Sequence, residues 1–119
     1  MNKAVEFDPE AVLRLRRLGN ADFVREMIDL AAQLGAQKVS AARRALDAGD
    51  LQALADATHA LKSSAAGIGA LQMFELASRI EVLSRRGEHE QLPQLLAELE
   101  AAHTRIQPNL AAARKNLAP

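Results

Sequence analysis

Along most of the chain, apolar side chains return at alternating steps of three and four residues, the period at which one face of an α-helix repeats. The pattern is most regular near the C-terminus, where Leu92, Leu95, Leu99, Ala102, Ile106, Leu110, Ala113 and Leu117 form one stripe. Pro108 interrupts that stripe's backbone donors, so the stretch predicts one long, bent helix. Leu51, Leu54, Thr58, Leu61, Ala65 and Ile68 mark a second stripe, and Met73, Leu76, Ile80 and Leu83 a third, on a helix ended by Gly87. Upstream, Phe23, Met27, Leu30 and Leu34 read as the seam of another long helix, with Gly35 as a point where it bends.

The punctuation agrees with this division. Asp8-Pro9-Glu10 has the form of an N-cap followed by proline in the first turn, opening a short helix closed by Gly19. Asn20 or Asp22 caps the next helix, which ends near Ala48-Gly49; Asp50 caps the one after, and Gly67 and Gly69 bracket the following turn. Strand signals are nearly absent. Four amphipathic helices with short connections and a small leading helix predict an all-α fold, an antiparallel up-down four-helix bundle forming one domain over residues 1–119.

Composition narrows the function more by exclusion than by suggestion. Fifteen acidic and fifteen basic residues cancel, so no global field draws the chain to nucleic acid or an anionic membrane. Without cysteine there is no disulfide framework, thiol catalysis or thiolate metal site. The start Met1-Asn2-Lys3-Ala4-Val5-Glu6-Phe7 lacks a signal-peptide core, and no window approaches the roughly 20 apolar residues of a membrane span. These features read as a cytoplasmic protein. The seams are consumed within one bundle, which points to a monomer.

Three histidines are the groups able to change charge near neutral pH. His59 stands in the run His59-Ala60-Leu61-Lys62-Ser63-Ser64-Ala65-Ala66-Gly67-Ile68-Gly69, among small side chains. At about 100° per residue it falls roughly 130° from the centre of its helix's apolar stripe, facing solvent. Ala55, Lys62 and Ser63 lie one turn away, Gln52 and Ala66 two turns away, and these small or polar residues outline a docking face. His59 and Glu81 both lie eleven positions from Ala70, about 16 Å down the two helices joined by that turn. If both face the same groove, Glu81 accepts the Nδ1 proton and leaves Nε2 as an outward nucleophile. Periodicity does not decide the hand of the hairpin. Each residue also has a plainer reading: an exposed helical histidine is commonly surface, and a glutamate beside a seam is commonly a solvated flank. His89 and His103 share no metal-ligand spacing with His59 and read as surface or flank residues, Ser63 and Ser64 as packing residues, and Arg85-Arg86 as cations at a helix C-terminus.

Taken together, His59-x-Leu61-Lys62-Ser63-Ser64-Ala65, Gly69 ten residues after the histidine, and Leu76-Ala77-x-x-Ile80-Glu81 resemble the histidine-containing phosphotransfer (HPt) domain of multistep two-component relays. The resemblance extends over most of the chain, less specifically through Phe7-Asp8-Pro9, Phe23 and Ala48-Gly49-Asp50-Leu51. It implies that His59 is the phosphoacceptor, Lys62 the cation beside the phosphoryl group and Glu81 the group that orients the ring. The partners it implies are response-regulator receiver domains and a hybrid sensor histidine kinase. It also implies a carrier rather than an enzyme, without an ATP site or cofactor of its own, the magnesium belonging to the receiver. Two positions depart from the family pattern: Ser63 where glycine is frequent, which bears on partner preference, and Ala60 where threonine is frequent. The rival reading is a non-catalytic HPt-like module that binds a receiver without being phosphorylated; a metal-dependent hydrolase has little support, because the histidines are not grouped.

Overall fold

In a computed structural model, residues 6–117 are described; Met1–Val5 and the terminal pair Ala118-Pro119 lie outside the described residues. Among the described residues five helices follow one another: α1 (Glu10–Leu18), α2 (Ala21–Asp47), α3 (Leu51–Gly67), α4 (Leu71–Arg85) and α5 (Leu92–Lys115). No strand occurs among the described residues. Two helix starts carry the expected caps, Asn20 Oδ1 accepting from Phe23 N at 2.9 Å and Asp50 Oδ1 from Ala53 N at 3.0 Å; α1 begins one residue later than expected, with Pro9 at the cap position and Asp8 Oδ1 just before it accepting from Glu10 N at 3.0 Å. Of the two candidates for the cap of α2, Asn20 is the one used.

Helices α2 to α5 close a ring: α2 packs on α3, α3 on α4, α4 on α5 and α5 back on α2, while α1 rests on α2. Short connections make successive helices antiparallel, which yields the up-down bundle. Leu54, Leu61, Ile80, Leu92, Leu96, Leu99 and Ile106 are its largest fully buried side chains. The stripe of α5 from Leu92 to Leu110 is buried as the spacing predicts, and the helix runs without a break through Pro108.

The seam of α2 is different from the expected one. Its buried residues are Ala21, Val24, Ile28, Gly35, Val39, Ala42 and Ala45, one position on from the larger residues that suggested the stripe. Met27 and Leu34 are only partly covered and Leu30 is 57% exposed. Small residues face the bundle because they let the helix approach closely: a Cβ on Gly35 would sit 3.8 Å from the His103 ring of α5. Gly35 therefore serves close packing inside an unbroken helix. His103, expected at the surface, is half-buried there, and burial pushes its pKa below the ordinary value.

The α3–α4 turn fixes the relative height of the two helices that carry the site. Gly69 adopts φ +77° and closes α3 with Ala70 N donating to Ala65 O at 2.8 Å and Gly69 N to Ala66 O at 3.2 Å. Its carbonyl accepts from Asp8 N at 2.8 Å, so the chain before α1 lies directly on the turn. A side chain at Gly69 would both strain the backbone and collide with Asp8 O.

Candidate functional site

His59 projects from the middle of α3 with 65% of its side chain exposed, while Glu81, across the groove on α4, has 11% exposed. Only one hand of the hairpin faces them toward each other, and the chain has that hand: His59 Nδ1 lies 2.9 Å from Glu81 Oε2. The burial of Thr58 explains why the neighbouring histidine is turned out. Thr58 is fully buried, its hydroxyl donating to Leu54 O at 2.9 Å and Ala55 O at 3.1 Å, and it holds the core face of α3 inward.

Glu81 is the hub of the site. Lys62 Nζ lies 2.8 Å from its Oε1, and Arg85 donates from Nε at 3.1 Å and from Nη2 at 3.0 Å to its Oε2. Burial raises the Glu81 pKa, but hydrogen bonds from Lys62, Arg85 and His59 outweigh it, and the net shift is below the usual carboxylate range. An ionised carboxylate can only accept, so His59 carries its proton on Nδ1 and donates it to Oε2. The neutral ring then keeps its lone pair on Nε2. The arrangement thus produces an accessible nucleophilic nitrogen on a ring held by a charged, largely buried acceptor.

Two residues of this network were not singled out from the sequence as site residues. Arg85 reaches back along α4 to Glu81 instead of only capping its helix, and its Nη2 lies 3.6 Å from Asp56 Oδ1 on α3. Gln52 Nε2 donates to the same Asp56 oxygen at 3.1 Å. The signal was present: Arg85 stands one turn after Glu81, and Asp56, fourteen positions before Ala70, is level with Ser84 and Arg85 beyond it.

The expected docking face needs one correction. Gln52, Ser63 and Ala66 are exposed, but Ala55 is fully buried and presents no surface to a partner. Its small side chain marks close packing in the bundle rather than open space. Ser64 packs, its hydroxyl 3.4 Å from Ala31 O. Beside Ser63 runs an apolar groove lined by Leu15, Met27, Leu30, Leu34 and Ile68, which accounts for the partly exposed large residues of α2. His89 is exposed in the α4–α5 connection. Among the described residues no group of three or more potential metal ligands converges, and no helix is long and apolar enough to cross a membrane.

The ring of four helices presents one histidine from α3, and comparison with known proteins places the chain in the class of histidine phosphotransfer modules. The Hpt domain family model matches residues 21–109, and the chain belongs to that family. Its fold is similar to that of histidine-containing phosphotransfer protein B (HptB) from Pseudomonas aeruginosa PAO1, with a TM-score of 0.87 at 22% identity over 95% of this chain and 97% of that one. No curated protein sequence matches significantly. As an Hpt domain, the chain is a phosphorelay intermediate of two-component signalling, a carrier rather than a kinase, and its partners include receiver domains of response regulators.

Proposed function

We propose that His59 is the group that carries the phosphoryl between receivers. The observation that supports this most is the pairing of an exposed ring with a buried carboxylate: Nδ1 is fixed on Glu81 at 2.9 Å while the ring stays open to a partner. In the forward step the Nε2 lone pair forms the N–P bond as the bond between phosphorus and the receiver's aspartate oxygen breaks, and the aspartate leaves as a carboxylate. The Nδ1 proton stays on the ring and its hydrogen bond to Glu81 strengthens as the ring gains positive charge. Transfer onward reverses these bonds at a second receiver. In-line positioning supplies most of the catalysis, and the magnesium that the reaction uses belongs to the receiver, so this chain contributes no metal or cofactor of its own.

Lys62 is the cation that meets the phosphoryl oxygens, one helical turn from the ring. Gln52, Ser63 and Ala66 are the surface on which the receiver closes, continued by the apolar groove beside Ser63. The bundle works as a monomer in the cytoplasm, without an ATP site, taking its phosphoryl from a receiver of a hybrid sensor kinase. Incubation with a phosphorylated receiver is expected to yield an acid-labile, base-stable phosphoprotein in the wild type and none in His59→Gln. Labelling that persists in the mutant overturns the assignment, and receiver binding with no labelling of either protein supports the non-catalytic module instead.

A further inference from the structure

Glu81 is oversupplied with positive partners. His59 needs only Oε2, yet Lys62 occupies Oε1 at 2.8 Å and Arg85 adds two donors to Oε2. With the phosphoryl group on Nε2, a multiply charged anion stands one turn from Lys62 and draws its ammonium away from Glu81. A carboxylate with 11% of its side chain exposed cannot be left without a cation at low cost. Arg85 is built to remain: its rigid guanidinium holds Oε2 through two donors and leans 3.6 Å from Asp56, which Gln52 steadies in turn. Lys62 is a point charge on a flexible four-carbon stem that holds Glu81 through a single contact, so it can swing to the ring at the cost of one ion pair.

We propose that Arg85 is a positioning residue that releases Lys62. By neutralising Glu81 throughout the cycle, it lets the Lys62 ammonium pass from Glu81 Oε1 to the phosphoryl oxygens as the N–P bond forms, and return when the group leaves. This inference rests on His59 being the phosphoacceptor, and it assigns to Arg85 a role distinct from orienting the ring, which Glu81 performs.

Phosphoramidate tests it without a receiver. The His59 Nε2 lone pair forms the new N–P bond while ammonia departs with the electron pair of the old one. Four proteins of matched helicity are compared: wild type, Lys62→Met, Arg85→Met and the double mutant. Lys62→Met is expected to slow His59 labelling about tenfold in the wild-type background, but less than about twofold in Arg85→Met, where Lys62 stays on Glu81. Arg85→Lys, which keeps a cation on Glu81, restores most of the Lys62 dependence. Imidazole 15N spectra keep the Nδ1–H tautomer in Arg85→Met. Equal Lys62 factors in the two backgrounds, or a tautomer lost with Arg85, overturn the inference while His59 is still labelled. Absence of label on wild-type His59 removes the phosphoacceptor reading itself.

Discussion

Glu81 and Glu100 are both glutamates that bridge two helices with arginine help, and they do different work. Glu100 on α5 meets Arg43 of α2 face to face, Nε to Oε2 at 3.1 Å and Nη2 to Oε1 at 2.6 Å, with 37% of each side chain exposed. Both of its oxygens are taken by one guanidinium, whose hydrogen bonds hold its pKa down. Glu81 is more deeply placed and is divided among three side chains, two from α3 and one from its own helix. Burial raises its pKa, and the three donors together reverse that. A carboxylate whose partners close on it braces the bundle; one that shares its oxygens with an exposed imidazole is, in the function proposed above, the group that orients that ring.

Substitutions separate the two roles. Glu81→Ala is expected to lower the phosphotransfer rate about 10–100-fold, because the ring loses its tautomer and orientation, whereas Glu100→Ala leaves it within about twofold. Equal effects in a receiver-transfer assay would erase the distinction. The next effect is on stability: Glu81→Gln is expected to cost about 1–2 kcal/mol at neutral pH by urea unfolding. The Glu81 pKa is depressed on folding, so this stabilisation is fully present above the ordinary value of 4.5 and is lost as pH falls through the lower folded value. The gap between wild type and Glu81→Gln therefore holds at pH 6 to 7 and closes only on acidification below about 4.5; a gap that closes near neutrality contradicts the ionised hub. Arg43→Met is expected to cost less, about 1 kcal/mol or below in the same measurement, because that pair is substantially hydrated. Smallest is Asp29→Asn: Arg114 reaches Asp29 at 2.8 and 3.1 Å on an exposed face, and thermal unfolding at physiological salt should not distinguish the variant from wild type.

Legibility of the fold followed side-chain size. Along α5 the large apolar residues and the buried ones coincide, so counting Leu92 through Leu110 finds the core face. Along α2 two phases compete, and Met27, Leu30 and Leu34 look heavier than Val24, Ile28, Val39 and Ala42, which are the buried set. Close helix approach rewards small residues, which a search for large ones passes over. The same reasoning explains Ala55, whose small side chain suggested openness but lies fully inside. Distance from the turn at Ala70 puts His59 and Glu81 at one height, and extending the count to Asp56 and Arg85 brings in the rest of the cluster, but the hand of the hairpin that faces them together is set by packing and not by periodicity. That Lys62 points to Glu81 depends on which rotamer a long, flexible side chain adopts, and no periodicity specifies that.

The central claim is that Glu81 fixes the His59 proton on Nδ1 and leaves Nε2 to react. The direct measurement is long-range 1H–15N correlation of the imidazole, with 31P coupling, on protein labelled by a phosphorylated receiver. The account predicts the Nδ1–H tautomer before labelling and phosphorus on Nε2 of His59 afterwards, with Nδ1 still protonated. Phosphorus on Nδ1, or an Nε2–H tautomer in the unlabelled protein, would contradict it.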